Sequence, residues 1–159
     1  MEGIIHIRID DRLIHGQVAA FWSNALQATR IMVINDEVAN DDMQKKILRT
    51  AAPTGIATSI ITKEKALNNI MAGKYQNQRV LVIFKNPEAI LELMEKGLPI
   101  QKVNVGNMGA KADTVAIKKS VNITAQDRAT FEKLIALGVQ LTAQMVPDES
   151  DEPLSKYLG

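Results

Sequence analysis

Cysteine is absent from the 159-residue chain. That excludes disulfides, thiolate nucleophiles and Cys-ligated zinc or iron–sulfur centres, and it fits a reducing compartment. Only two histidines occur, His6 and His15, so an all-histidine metal site is excluded as well. Aromatic residues make up 4%, too few for a platform on which nucleic-acid bases could stack. Neither sign of charge dominates: 19 Lys and Arg stand against 18 Asp and Glu, a formal net charge of +1, and nothing draws the chain generally to DNA or to an anionic membrane. Any anion site must therefore be local. Long apolar runs are missing too. The run Val80 to Phe84 is far short of the about 18 residues that span a bilayer, and Met1-Glu2-Gly3 has no basic stretch leading into an apolar segment. These features predict a soluble, cytoplasmic protein.

What is present is the composition of a globular domain, 46% hydrophobic and 23% charged, and residues 1–159 are expected to form a single domain. Short β-branched runs at Ile4–Ile9, Ile31–Ile34, Ile56–Ile61, Val80–Phe84 and Lys102–Val105 alternate with segments of helical period. Such alternation predicts βαβ units and an α/β fold with a mostly parallel sheet. After the first strand, Val18, Phe21, Trp22, Ala25 and Leu26 fall on one helical stripe, which makes Trp22 a core residue rather than a ligand stack. The second helix carries its own end signals: Asn40 as cap, Asp41 and Asp42 in the first turn, Lys45, Lys46 and Arg49 late, and Pro53 beyond. Thr62 is expected to start a helix through Met71 that stops near Gly73, and Asn86 with Pro87 one that stops at Gly97. Thr124 and Asp127 have the spacing of a capping box, ahead of a helix with Phe131, Leu134 and Ile135 inward that ends at Gly138 before a final strand, Val139–Met145. The tail from Pro147 reads as a surface excursion ending in a docked turn at Leu154–Leu158.

In open α/β sheets, ligands bind beyond the carboxyl ends of the strands, where helices begin with unpartnered N–H groups. That rule nominates two loops: Asp10-Asp11-Arg12-Leu13-Ile14-His15-Gly16-Gln17 after the first strand and Gly106-Asn107-Met108-Gly109 after the fifth. The first holds a guanidinium, two carboxylates and an imidazole followed by glycine. An imidazole with pKa about 6.5 is substantially neutral at neutral pH and hence a competent nucleophile. Arg12 could fork two N–H bonds to phosphoryl oxygens, while Gly16 admits close backbone approach. Those parts suit phosphoryl transfer, which needs positioning and charge stabilisation above all. Plainer readings compete. His15 could be a polar cap. Asp10 and Asp11 are adjacent, so at most one should aim at His15, the other serving a turn. His6 reads as a packed strand histidine and Arg8 as a partner of Asp10. Lys111, Lys118 and Lys119 read as solvated. No G-x-G-x-x-G follows the first strand, and Gly109-Ala110-Lys111 lacks a phosphate-binding P-loop ending. Asp10, Asp11 and His15 make a poor metal set without a second histidine, so neither metal nor cofactor is expected.

The string Arg8-Ile9-Asp10-Asp11-Arg12-Leu13-Ile14-His15-Gly16-Gln17-Val18 closely resembles the phosphorylation-site signature of the IIB components of the mannose/fructose/sorbose family of the bacterial phosphoenolpyruvate-dependent sugar phosphotransferase system. Further similar segments are Asn35-Asp36-Glu37-Val38, Val103-Asn104-Val105-Gly106-Asn107-Met108 and the helix start Thr124-Ala125-Gln126-Asp127, so the likeness covers nearly the whole chain. The resemblance implies an open, mostly parallel sheet with helices on both faces and an antiparallel strand near the C-terminus. It implies an enzyme, a protein-phosphohistidine–sugar phosphotransferase. Phosphate would pass from a phosphorylated IIA protein or domain to His15, through Nδ1, and then to a sugar held by the membrane IIC and IID components, with the chain peripheral to that transporter. By the same resemblance Arg12 is the phosphoryl clamp, Arg8, Asp10, Asp11, Leu13, Ile14, Gly16 and Gln17 support the loop, and Gly106, Asn107 and Met108 border the pocket. The segments Asn104–Met108 and Gln144–Pro147 are more similar to the N-acetylgalactosamine or galactosamine branch than to the fructose or mannose branches. The competing class is a non-catalytic α/β module that binds an anion or a partner at the same edge.

Overall fold

The computed structural model describes residues 1–159. In chain order the elements are β1 (Ile4–Asp10), α1 (Gly16–Leu26), β2 (Arg30–Ile34), α2 (Asp36–Ala39), α3 (Asp42–Ala51), β3 (Ala57–Ile61), α4 (Lys63–Met71), β4 (Val80–Phe84), α5 (Pro87–Glu95), β5 (Lys102–Asn107), β6 (Val115–Lys118), β7 (Val121–Ile123), α6 (Ala125–Ala136), β8 (Gln140–Ala143), β9 (Glu152–Pro153) and α7 (Ser155–Leu158). Seven strands form one sheet in the order β3-β2-β4-β1-β5-β8-β9, and β6 and β7 form a separate antiparallel pair. Every neighbouring pair in the large sheet is parallel except β8 with β9.

Strand alternation sorts the apolar side chains into two cores. Ile31, Val33, Ile60, Leu81 and Ile83 meet α1 and α3 through Ala19, Trp22 and Leu48 on one face. Ile7, Ile9, Met32, Ile34, Val82, Phe84, Val103 and Val105 meet α4, α5 and α6 on the other through residues such as Ile70, Ile90 and Phe131. Right-handed crossovers require this division: the chain moves one way across the sheet from β1 to β3 and returns the other way from β3 to β8. The loops after β1 and β5 therefore leave adjacent strands toward opposite faces, and a crevice opens between them.

The expected helix ends at Thr62, Asn86 and Thr124 are realised. Thr62 accepts from Lys65 N–H, Asn86 from Ala89 N–H with Pro87 in the first turn, and Thr124 and Asp127 complete a reciprocal capping box. The cap of α3 is Asp41, whose carboxylate accepts from Met43 and Gln44 N–H. Asn40, expected there, instead ends the short α2, which Asn35 starts by accepting from Val38 N–H. A carboxylate accepting two first-turn amides is the stronger cap. Phe21 is 50% exposed and Ile135 39%, against the expectation that both face inward, and Ala25 is exposed too. The buried stripe of α1 is narrower, centred on Ala19, Trp22 and Ser23, because Ser23 satisfies its hydroxyl on Ala19 O at 2.7 Å and can face the sheet.

The last strand of the parallel set, β8, is shorter than Val139–Met145. The antiparallel strand is β9, which lies in the tail read as an excursion. Leu154 there is fully buried and anchors α7, as the docked turn at Leu154–Leu158 requires. No helix is long and apolar enough to cross a membrane.

Candidate active site

Arg8 sits on the last turn of pleat before β1 ends and is 2% exposed. Its Nη1 donates to Asn104 Oδ1 at 2.7 Å and to Gln144 O at 3.0 Å, and its Nη2 to Met145 O at 2.9 Å and, more weakly, to Asp10 Oδ2 at 3.4 Å. One buried cation thus ties together the carboxyl ends of β1, β5 and β8. Burial lowers its pKa to about 10, an effect the Asp10 carboxylate opposes, so it stays protonated at neutral pH. The guanidinium lies directly against Gly106: a Cβ there would come 2.0 Å from Arg8 Cζ. Glycine at this position is a matter of space, not of backbone freedom.

Asp10, 1% exposed, holds Arg12 in a fork. Oδ1 accepts from Arg12 N–H and Nε, both at 3.0 Å, and Oδ2 accepts from Nη2 at 2.9 Å. The remaining Nη1 of Arg12 is unengaged, on a side chain 28% exposed. That fork raises the Arg12 pKa further. Arg8, Asp10 and Arg12 together carry one net positive charge at the mouth of the crevice.

Beyond Arg12 the chain reverses sharply. Leu13 N–H donates to Asp10 O at 2.9 Å, with Leu13 held at φ 63°. For leucine this left-handed conformation costs about 1–2 kcal/mol, offset by burying the Leu13 and Ile14 side chains, 6% and 3% exposed, at about 1.5–3 kcal/mol each. With two successive side chains sunk in the core beside Val38 and Leu48, His15 is turned outward. It is exposed, and it occupies the N-cap of α1 with no side-chain bond to the first turn. Gly16 follows at φ 31°. The leading amides of α1 therefore face solvent beside an unencumbered imidazole.

The two adjacent aspartates diverge, and neither carboxylate bonds to His15. Asp10 is consumed by Arg12 and Arg8. Asp11 bridges to the second loop, with Oδ1 accepting from Asn107 Nδ2 at 2.8 Å and Oδ2 from Gly109 N–H at 2.7 Å. The loops after β1 and β5 are thus brought together as expected. Met108 is 5% exposed, its backbone stitched to Ser120 and Asn122 of the β6–β7 hairpin. Gln17 is exposed and makes no side-chain bond. Asp10, Asp11 and His15 do not converge into a metal-binding group.

Trp22 is core, with further roles. Its Nε1 donates to Met145 O at 3.0 Å, its ring lies 5.1 Å below the Arg8 guanidinium and stacks on His6 at 4.7 Å. Burial pushes His6 down to about 4, assisted by the charge of Arg8, so its imidazole is neutral and packed. Of the three lysines read as solvated, Lys111 and Lys119 are exposed, whereas Lys118 pairs with Glu149 at 2.5 Å. Glu88, on the first turn of α5, has a buried Oε2 without a partner. Burial and the neighbouring Asp127 carboxylate push its pKa up to about 7.

Clefts of about 420 and 270 Å³ open along the carboxyl edge. His15 lines neither and stands outside them. Another, of about 290 Å³, lies at the opposite end of β1 and β5, away from both loops. Sequence reasoning missed three features of this edge: the seat of Arg8 on Gly106, the Met145 carbonyl shared by Arg8 and Trp22, and Lys85, which lines the edge clefts. Only Lys85 had a signal, a cation placed directly after the apolar run Val80–Phe84.

Comparisons with known proteins agree with this architecture. The family model described as the PTS system sorbose subfamily IIB component matches residues 4–159. The PTS system sorbose-specific EIIB component of Lacticaseibacillus casei is 41% identical over 94% of this chain and 92% of its own length. The N-acetylgalactosamine-specific phosphotransferase enzyme IIB component 2 of Escherichia coli is 37% identical over 99% of this chain and 100% of its own. The crystal structure of the IIBSor domain of the sorbose permease from Klebsiella pneumoniae superposes with a TM-score of 0.93 at 35% identity, covering 99% of this chain and 96% of that one. The chain belongs to the sorbose-subfamily IIB components of the phosphotransferase system.

Proposed function

We propose that residues 1–159 act as one IIB domain in which His15 carries a phosphoryl group between a phosphorylated IIA protein and a sugar held by the membrane IIC and IID components. The observation that carries this reading is the uncapped, exposed imidazole of His15 at the start of α1, beside an arginine whose position is set by a buried carboxylate. A ring nitrogen with a free lone pair attacks phosphorus while the P–N bond to the donor imidazole breaks. The proton of His15 stays on its other nitrogen, and the family resemblance makes Nδ1 the phosphorylated one. In the second step a sugar hydroxyl attacks phosphorus, the P–N bond to His15 breaks, and the hydroxyl proton passes to solvent. Arg12 Nη1 and the first amides of α1 stabilise the equatorial oxygens in both steps. Asp10 keeps the guanidinium planar to the site, and Arg8 keeps Asp10 from turning away. Asp11, Asn107 and Gly109 fix the second loop, Gly106 makes room for Arg8, and Gly16 admits the approach of a partner.

The acceptor is a hexose or amino sugar, N-acetylgalactosamine included. The segments Asn104–Met108 and Gln144–Pro147, similar to that branch, are occupied here in holding Arg8 and folding their own loop, so sugar choice falls to the membrane components. The chain then works on the cytoplasmic side, peripheral to the transporter. The test is intact-mass measurement after incubation with phosphoenolpyruvate, the general phosphotransferase proteins and a cognate IIA. One acid-labile, base-stable phosphoryl group is expected on the wild type and none on His15→Ala. Binding of the donor without covalent gain identifies a docking module and overturns the proposal.

A further inference from the structure

The clefts along the carboxyl edge share one side chain. Lys85 is the first residue past β4, one step beyond the Ile9–Phe84 and Ile34–Phe84 pairs that seat β4 between β1 and β2. All five residues of β4 are buried, and Asn86 caps α5 immediately afterwards, so the backbone is fixed on both sides of Lys85. Lys85 is half-buried and lines the 270 Å³ cleft together with Arg12 and Leu13, opposite Ile47 and Leu48. Its Nζ has no carboxylate within ion-pair distance, whereas the other cleft lysine, Lys63, is neutralised by Glu92 and Asp36. Asp11 lines the same cleft but spends both oxygens on Asn107 and Gly109. Lys85 is therefore left in the cleft as a cation without a fixed partner. Its field adds to the net positive charge of Arg8, Asp10 and Arg12.

We propose that Lys85 is a further catalytic residue for phosphoryl transfer: it lines one cleft with Arg12, and its ammonium and the free Nη1 of Arg12 receive the oxygens of the phosphoryl group in transit. This rests on His15 being the carrier. His15 stands outside this cleft, and Arg12, which lines it, is the link: the phosphoryl dianion that Arg12 clamps, either still on the donor imidazole or already on His15, is the group Lys85 meets. A lysine suits it, because three donors on a flexible stem can follow a moving anion while the forked Arg12 stays fixed.

The experiment compares wild type, Lys85→Met, Lys85→Arg and, as control, Lys65→Met at an exposed position of α4. One arm measures phosphoryl transfer from phosphorylated IIA over a range of donor concentration and salt. The other measures the hydrolytic lifetime and phosphorus-31 shift of each phosphorylated protein in isolation. Lys85→Met is expected to lower kcat/KM about tenfold, the order of one charge-assisted contact, to flatten the salt dependence, and to leave the melting temperature unchanged, because Nζ has no partner to lose. Lys85→Arg should recover most of the rate. A change in lifetime or shift as well places the contact on phospho-His15, and a change in transfer alone places it on the donor's phosphoryl group; both support the proposal. Lys85→Met matching Lys65→Met in rate and salt dependence overturns it. A wild type that gains no phosphate overturns the carrier reading itself, and that result is visible before any variant is assayed.

Discussion

Replacing Gly106 by alanine tests whether the buried Arg8 is as fixed as its bonds imply. The new methyl carbon would lie 2.0 Å from Arg8 Cζ and 2.2 Å from each Nη, where ordinary contact between heavy atoms is about 3.5–4.0 Å. The guanidinium must therefore retreat by about 1.5 Å. Its bonds to Asn104, Gln144 O and Met145 O, at 2.7 to 3.0 Å, cannot stretch that far and persist. Breaking up a buried, paired charge costs about 3–5 kcal/mol. For a chain of this size that is a fall in melting temperature of about 6–20 °C. Gly109→Ala is the matched control: its Cβ would sit 3.2 Å from Asp11 Oδ2, a contact relieved by a few tenths of an ångström, at a cost below about 1 kcal/mol. Urea denaturation of the three proteins reads the difference. A Gly106→Ala protein within about 1 kcal/mol of wild type refutes the close seat of Arg8 and with it the account of how Asp10 is held.

Arg12→Lys loses the Nε and Nη2 bonds to Asp10, so about 1–2 kcal/mol of stability should go by urea titration, and phosphoryl transfer should slow at least about tenfold because an ammonium cannot reproduce the fork; unchanged transfer removes Arg12 from the mechanism. His6 binds its proton at about 4 in the folded protein and near 6.5 when unfolded, so the unfolded state takes up the proton first. Stability is then lost as pH falls from 6.5 toward 4, by at most about 3 kcal/mol. His6→Phe, which keeps the stack on Trp22, should flatten that part of the pH–stability curve, and an unchanged slope contradicts the buried neutral imidazole. Glu88 runs the opposite way: its raised pKa, about 7, means that the folded state holds a proton the unfolded state has released, so stability falls as pH rises from about 4.5 to 7. Glu88→Gln should abolish this fall and be more stable than wild type above neutrality; identical urea midpoints would rule out the burial of its charge beside Asp127.

Much of the fold was legible because its signals are local. Strands such as Val80–Phe84 are continuous β-branched and apolar runs, as expected for a sheet covered on both faces, and the caps at Thr62, Asn86 and Thr124 need only the next three residues to be read. The β6–β7 hairpin escaped because its strands are four and three residues long: Val121-Asn122-Ile123 alternates, but over too few residues to stand out as a strand. The outward Phe21 and Ile135 escaped because the width of a buried stripe depends on which sheet residues lie beneath the helix. At the site, the loops were found by their residue types and the strand-end rule. The allocation of carboxylates was not. That neither Asp10 nor Asp11 turns to His15 is decided by partners from β5, the loop after it and the turn itself, Asn107, Gly109 and the Arg12 fork, which only the assembled sheet brings together.

Because the chain has only two histidines, His6 and His15, a nitrogen-detected spectrum of the histidine-labelled protein contains two imidazoles, one packed against Trp22 and one exposed at the start of α1. Recording it before and after phosphorylation by the donor shows which imidazole carries the phosphoryl group. The His15 ring alone should shift and gain coupling to phosphorus at one nitrogen, while the His6 ring keeps its resonances. Phosphorus coupling at His6, or phosphate on the protein with both rings unmoved, would contradict it.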